Sequence, residues 1–228
     1  MPRSGHFAAI FDLDGTLVDS YDAHFDAWRA VAGEIGHELT VEQFARQFGR
    51  TNDPILRELF EWVGREPPEP GQLRSLADRK ESLFRSAIEE AFPAMAGGGE
   101  LLQALRNDGW RLAVGSSAPP DNVALAIAGL DAASLFQAVV HGDDVTHGKP
   151  DPEVFLLAAS RLGVAPASCV VVEDAPPGLE AARRAGMASI GLASKGRTRE
   201  ELAAADLVVG SLEELDPRTL LRVVESRS

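Results

Sequence analysis

Asp12-Leu13-Asp14-Gly15-Thr16 directly follows a short apolar run, Phe7 to Phe11. Residues two apart in an extended strand share a face, so these two carboxylates can converge at the C-terminal edge of a sheet. Open parallel sheets bind ligands at that edge. Carboxylates held close together repel and shift pKa unless a cation sits between them. A hard divalent ion with oxygen ligands is the natural resolution, and Mg²⁺ is typical where phosphate is also bound. Gly15 lets the backbone approach an anion closely. The same Asp-Gly pair is also a common turn signal, which is the competing reading.

Three further segments carry chemistry of the same kind. Glu173-Asp174 closes the apolar run Cys169–Val172, and an acid at the end of a buried strand is costly unless paired; helix capping before Pro176-Pro177-Gly178 is the alternative. Ser116-Ser117 ends the run Arg111–Gly115 with hydroxyl and amide donors that suit a phosphate, or else forms a polar turn before Pro119-Pro120. Gly148-Lys149-Pro150-Asp151-Pro152 sets a lysine in a rigid turn before a helix. Taken singly, that lysine reads as solvated. Taken together, four strand ends at one sheet edge supply a paired acid, a Ser pair, a Lys and a Glu-Asp pair. Such a set can hold a metal ion and a phosphoryl group at once, with lysine offsetting both charges.

The elements that would position these residues follow from hydrophobic patterning. Apolar runs of strand length recur at Phe7–Phe11, Arg111–Gly115, Ala138–Val140, Cys169–Val172, Ala188–Leu192 and Leu207–Val209. Segments of helical period, such as Glu100–Arg106 and Glu153–Arg161, lie between most of them. Doubly buried strands alternating with helices indicate a parallel α/β sheet. From about Asp22 to Phe92 no strand is expected, only amphipathic helices over Ala23–Ile35, Val41–Phe48, Pro54–Val63 and Gln72–Phe92, with Arg65–Gly71 reading as a linker. βα loops normally span about 2–6 residues, so a block of this size reads as an inserted subdomain. The expectation is a Rossmann-like α/β core from residues 1–20 and 95–228, with an all-helical insert over 21–94.

Composition narrows the classes of partner. The 228 residues include 22 Lys+Arg and 35 Asp+Glu, a formal net charge of −13. That balance lacks the basic footprint of a general nucleic-acid binder and disfavours docking on an anionic membrane. Cys169 is the single cysteine, which excludes an internal disulfide framework and fits a reducing compartment. The stretch Met1–His6 leads into an apolar run too short for a signal-peptide core or a membrane span. A cytoplasmic protein is expected, monomeric or weakly homodimeric, with a small molecule rather than nucleic acid or membrane as its partner.

The four segments, in order, resemble the motifs of the haloacid dehalogenase (HAD) superfamily of Asp-nucleophile phosphotransferases. DxDGT stands here as Asp12–Thr16, the strand ending in Ser as Leu112–Ser116, the lysine motif as Lys149 in Gly-Lys-Pro-Asp-Pro, and the acidic motif as Val170–Asp174 with Gly178 following. The helical insert is similar to the four-helix cap of the β-phosphoglucomutase and phosphoglycolate phosphatase branch. The resemblance implies that Asp12 attacks phosphorus and that Asp14 protonates the leaving oxygen and then activates water. It implies Mg²⁺ held by the Asp12 carboxylate, the Asp14 backbone carbonyl and Asp174, with Glu173 as a direct or water-mediated ligand. Gly15, Ser116, the Ser117 amide and Lys149 would cradle the transferring oxygens. A cap that closes would exclude water and read the leaving group.

Departures from the family pattern sharpen the expectation. Where many relatives carry a second acid four residues after the acidic-motif Asp, this chain has Gly178, leaving Glu173 in that role. The mutases carry an arginine three residues after a cap glycine; here Gly49-Arg50-Thr51-Asn52 places Asn52 there. That favours a phosphatase acting on a small, sugar-like phosphate ester over a β-phosphoglucomutase-type mutase. Asp14 argues against carbon–halogen cleavage. Within the cap, His24, Arg50 and Asn52 are candidate substrate contacts, as are Arg79 and Lys80, although charged helix residues are usually solvated. Cys169, Trp28, Trp62 and Trp110 read as packing residues.

Overall fold

The computed structural model describes residues 7–227; the leader-free reading of Met1–His6, and the first six residues of the core expectation, lie outside the described residues. The chain forms two compact units, one of residues up to Asp19 together with Ala94 onward, the other of Ser20–Pro93.

The first unit is built on six parallel strands among the described residues: β1 (Ala8–Phe11), β2 (Arg111–Gly115), β3 (Ala138–Val140), β4 (Cys169–Glu173), β5 (Ala188–Leu192) and β6 (Leu207–Val209). Their spatial order is β3-β2-β1-β4-β5-β6. The strand runs read from the sequence therefore form one sheet, with Ala8 as the first strand residue and Glu173 drawn into β4. Burial on both faces explains the continuous Val, Ile and Ala runs. On one face Ala8, Ile10, Ala113, Val140, Cys169 and Val171 pack with Val154, Phe155 and Ala158 of α7 (Glu153–Leu162) and with Ala181 and Ala182 of α8 (Pro176–Arg184). The two-residue strand period turns Ala9, Phe11, Val170 and Val172 to the other face, where α5 (Gly98–Asn107) packs on β2 and α9 (Pro217–Glu225) on β4 and β5. Helix α6 (Pro120–Gly129) completes the set. Pro at the first turn of α6, α8 and α9 fits a position whose N–H has no helical partner.

The second unit holds four helices, α1 (Tyr21–Ile35), α2 (Val41–Gln47), α3 (Asn52–Trp62) and α4 (Pro70–Glu90). Helix α1 starts two residues before the expected Ala23. Helix α4 begins at Pro70, inside the stretch that reads as a linker, because a proline is pre-organised for a first helical turn as well as for a linker. Helix α2 is fixed by reciprocal caps: Gln43 N–H donates to Thr40 Oγ1 at 3.2 Å, and Thr40 N–H donates to Gln43 Oε1 at 3.0 Å. The unit has its own core, in which the Tyr21, Phe44 and Phe48 rings meet with centroids 5.0–5.6 Å apart.

Candidate active site

Strand register alone brings the acidic residues together. Phe11 sits opposite Val114 of β2 and Val172 of β4. One residue further, Asp12 therefore lies beside Gly115 and Glu173, and its N–H continues the ladder to the Val172 carbonyl at 3.0 Å. The strand order runs outward on both sides of β1, so this edge is the topological switch point where open sheets accept ligands. Beyond Asp12 the chain coils tightly: Thr16, Leu17 and Val18 all donate N–H to the Leu13 carbonyl. Gly15 makes the coil possible, with φ of +76° and with Asp174 Oδ2 only 2.5 Å from where a Cβ would stand. Both the dihedral and the space demand glycine.

Asp12, Glu173 and Asp174 are all buried, and one carboxylate oxygen from each lies within 4.8 Å of the others. Lys149 Nζ donates to Asp12 Oδ1 at 2.8 Å and to Glu173 Oε2 at 2.7 Å, and rests 4.9 Å from the centre of the Phe155 ring. Glu173 Oε1 accepts from the Ala175 N–H at 3.0 Å, so its carboxylate is held at both ends. Asp174 faces Thr16 Oγ1 through Oδ1 and Arg197 Nε through Oδ2, each at 3.5 Å. Burial first, then Glu173, pushes Asp12 up to about 7 against the pull of Lys149. Burial, Glu173 and Asp12 hold Asp174 well above the ordinary carboxylate range. Burial would depress Lys149, but Asp12 and Glu173 outweigh it and keep the ammonium above its usual value. Acids displaced upward by burial and mutual repulsion, with an all-oxygen donor set, are what a hard divalent cation relieves. The residues present fit a hard divalent cation.

The remaining sequence-expected residues fall as follows. Asp14 is half-buried and adds its charge to the field that raises Asp12. Ser116 is buried past the end of β2, its Oγ accepting from the Ala118 N–H at 3.1 Å, which leaves its hydroxyl hydrogen to donate elsewhere. Ser117 sits exposed in the same turn, and its carbonyl passes so near Gly142 that a Cβ there would stand 2.6 Å away. Lys149, its side chain 9% exposed, is paired with two acids rather than solvated.

In the helical unit His24 stacks on Phe84, ring centres 3.9 Å apart, and accepts through Nδ1 from Lys80 Nζ at 2.9 Å. Lys80 is only 3% exposed and also meets Glu81 at 3.0 Å, and Asn52 Nδ2 donates to the same Glu81 oxygen at 2.7 Å. Arg50 is ion-paired with Glu58 at 2.7 Å, and Arg79 with Glu34 at 3.4 Å at the surface. The reading of Lys80 as a solvated charge is thus corrected: Trp28, Phe84 and His24 enclose it. Thr16 and Arg197 are the site residues the sequence left without a role; Arg197 follows Ser194-Lys195-Gly196, a stretch with the polarity of an ordinary loop. Cys169 is inert core, its thiol pushed up to about 12 by burial.

Comparison with known proteins places the chain in one family. The haloacid dehalogenase-like hydrolase family matches residues 8–186. The chain is 31% identical to a β-phosphoglucomutase of Bacillus subtilis over 211 residues, 91% of each protein. It is 35% identical to a phosphorylated carbohydrates phosphatase of Thermotoga maritima over 186 residues, covering 80% of this chain and 83% of the relative. Among solved structures, a β-phosphoglucomutase from Clostridium difficile superposes with a TM-score of 0.86 at 26% identity, covering 96% of this chain and 97% of that one.

Proposed function

The chain belongs to the haloacid dehalogenase-like hydrolases, and on that footing we propose that it is a Mg²⁺-dependent phosphatase of a small, sugar-like phosphate ester, working through an aspartyl-phosphate on Asp12. The observation that carries this reading is Lys149 bridging Asp12 and Glu173 beside Asp174, a cation and three buried acids at the switch point of the sheet. Asp12, Asp174, Glu173 and the Asp14 backbone carbonyl are assigned to the metal. When bound, Mg²⁺ supplies positive charge for the phosphoryl oxygens and offsets repulsion between the ester and the acids.

Lys149 fixes the Asp12 carboxylate for attack through the bond to Oδ1. Asp12 oxygen forms a bond to phosphorus as the ester P–O bond breaks, and Asp14 delivers a proton to the departing alkoxide. Asp14 then takes a proton from water, which attacks the same phosphorus; the Asp12–phosphorus bond breaks and inorganic phosphate leaves. The Ser116 hydroxyl, the Ser117 amide and Lys149 are assigned to the phosphoryl oxygens. His24, Arg50 and Asn52 are assigned to reading the organic part of the substrate. The Thermotoga relative, named for phosphorylated carbohydrates, supports the substrate class.

Phosphate release from a panel of sugar and polyol phosphates, with and without Mg²⁺, tests the proposal. Asp12→Asn is expected to lower turnover at least about a thousandfold, as loss of a covalent nucleophile does; turnover retained by that variant refutes the nucleophile assignment. A mutase is the second reading, favoured by the B. subtilis and C. difficile relatives. Interconversion of hexose 1- and 6-phosphates that depends on a bisphosphate, without steady phosphate release, selects it.

A further inference from the structure

Among the described residues, Lys149 and Arg197 form ion pairs with the three buried acids Asp12, Glu173 and Asp174. Lys149 bonds Asp12 and Glu173. Asp174 has Arg197 instead, with Nε 3.5 Å from Oδ2 and the Arg197 side chain only 7% exposed. The loop that follows β5 makes this possible: Arg197 N–H closes a turn onto the Ser194 carbonyl at 3.0 Å, and Gly196 at φ +82° reverses the chain at the sheet's C-terminal edge. A guanidinium stays charged under all working conditions, so this counter-charge is permanent. Its separation from Asp174 lies beyond the usual N–H···O range of about 2.7–3.2 Å. The contact therefore neutralises the carboxylate without tying its oxygen into a tight bond.

We propose that Arg197 is a built-in counter-ion to Asp174, a positioning residue that keeps the acidic cluster stable without metal and thereby holds Mg²⁺ affinity down. The inference rests on the reading of Asp12, Glu173 and Asp174 as the Mg²⁺ site. A fixed positive charge beside one metal ligand opposes an arriving cation, and within a buried site of low effective dielectric the opposition is strong. The same charge relieves repulsion among the acids while no cation is bound. Removing it moves the two properties in opposite directions: the metal-free protein becomes less stable, and the metal binds more tightly.

The test is titration calorimetry of the EDTA-treated, desalted full chain with MgCl₂ at fixed ionic strength, alongside melting with and without MgCl₂. Arg197→Met is expected to bind Mg²⁺ about tenfold more tightly than the parent chain, and Arg197→Lys to stay within about twofold because it keeps the charge. Arg197→Met melts lower than the parent without metal and regains most of the difference at saturating Mg²⁺. Arg197→Gln, which keeps a polar tip, is expected to move in the same direction and serves should the Met variant not fold. An affinity unchanged or weakened in the neutral variants overturns the inference and leaves the metal reading standing. A parent chain that binds no Mg²⁺ overturns both. A purely structural arginine would lower melting equally with and without metal and leave the affinity where it was.

Discussion

Gly178 and Glu173 compete for one volume. A Cβ on Gly178 would stand 2.0 Å from Glu173 Oε2 and 2.1 Å from its Cδ. With Glu173 in this position there is no room for a side chain four residues after Asp174, which gives a steric reason for the glycine at position 178. Alanine is favoured over glycine inside a helix by about 1 kcal/mol, but here the overlap dominates. Gly178→Ala must expel the Glu173 carboxylate and break its bonds to Lys149 and the Ala175 amide. A loss of about 2–4 kcal/mol is expected by urea denaturation, together with a fall of about a hundredfold in phosphate release. In the double variant Glu173→Ala/Gly178→Ala the two costs should fall short of their sum by more than about 1 kcal/mol; simple additivity would refute the shared-volume argument. The residues of the site were unequally legible. Asp12, Glu173 and Asp174 announced themselves because an acid at the end of a buried strand must find a partner, and Lys149 is a cation at the same sheet edge. Arg197 did not, because its burial arises from a loop turning back on a neighbouring strand, and nothing in Ser194-Lys195-Gly196-Arg197 encodes that return locally.

Among the helices, α7 supports the site from beneath the sheet. Its Phe155 is fully buried, lies within 3.0 Å of the position a Cβ on Gly115 would take, and presents its ring 4.9 Å from Lys149 Nζ. Gly115 is thus the residue whose missing side chain lets α7 dock against β2. Phe155→Ala is expected to cost about 3–5 kcal/mol in denaturant unfolding, and Phe155→Leu markedly less. Loss of under about 1 kcal/mol for the alanine variant would mean that the site does not depend on this support. The strands were legible nearly to the residue, since Val-rich runs buried on both faces admit little else of that length. Helix starts were less so. Ser20 makes no side-chain cap to α1, leaving no signal for a start at Tyr21, and the prolines before α4 serve a linker and a first helical turn alike.

Over the full chain, the −13 charge and the site act at different ranges. Net charge governs solubility and long-range steering, whereas Lys149, Arg197 and the three acids set the local field. Each compact unit also has its own hydrophobic cluster, with no residue in common. Phe44→Ala, which empties the aromatic centre of the helical unit, should raise amide hydrogen exchange across α1–α4 while β1, β2 and β4 keep their protection; loosening of the strands to the same extent would show a single cooperative block. The chain leaves and re-enters the sheet unit at one spot. Val18 forms an antiparallel bridge with Ala94, and Met95 N–H donates to the Leu17 carbonyl at 2.9 Å. Everything between Ser20 and Pro93 hangs from that two-stranded stem. Closing a loop whose ends are already stitched costs only about 0.6 kcal/mol more for each doubling of its length. The bridge that closes the segment lies outside it, so changes confined to residues 20–93 are expected to leave the pairing of β1 with β2 and β4 in place.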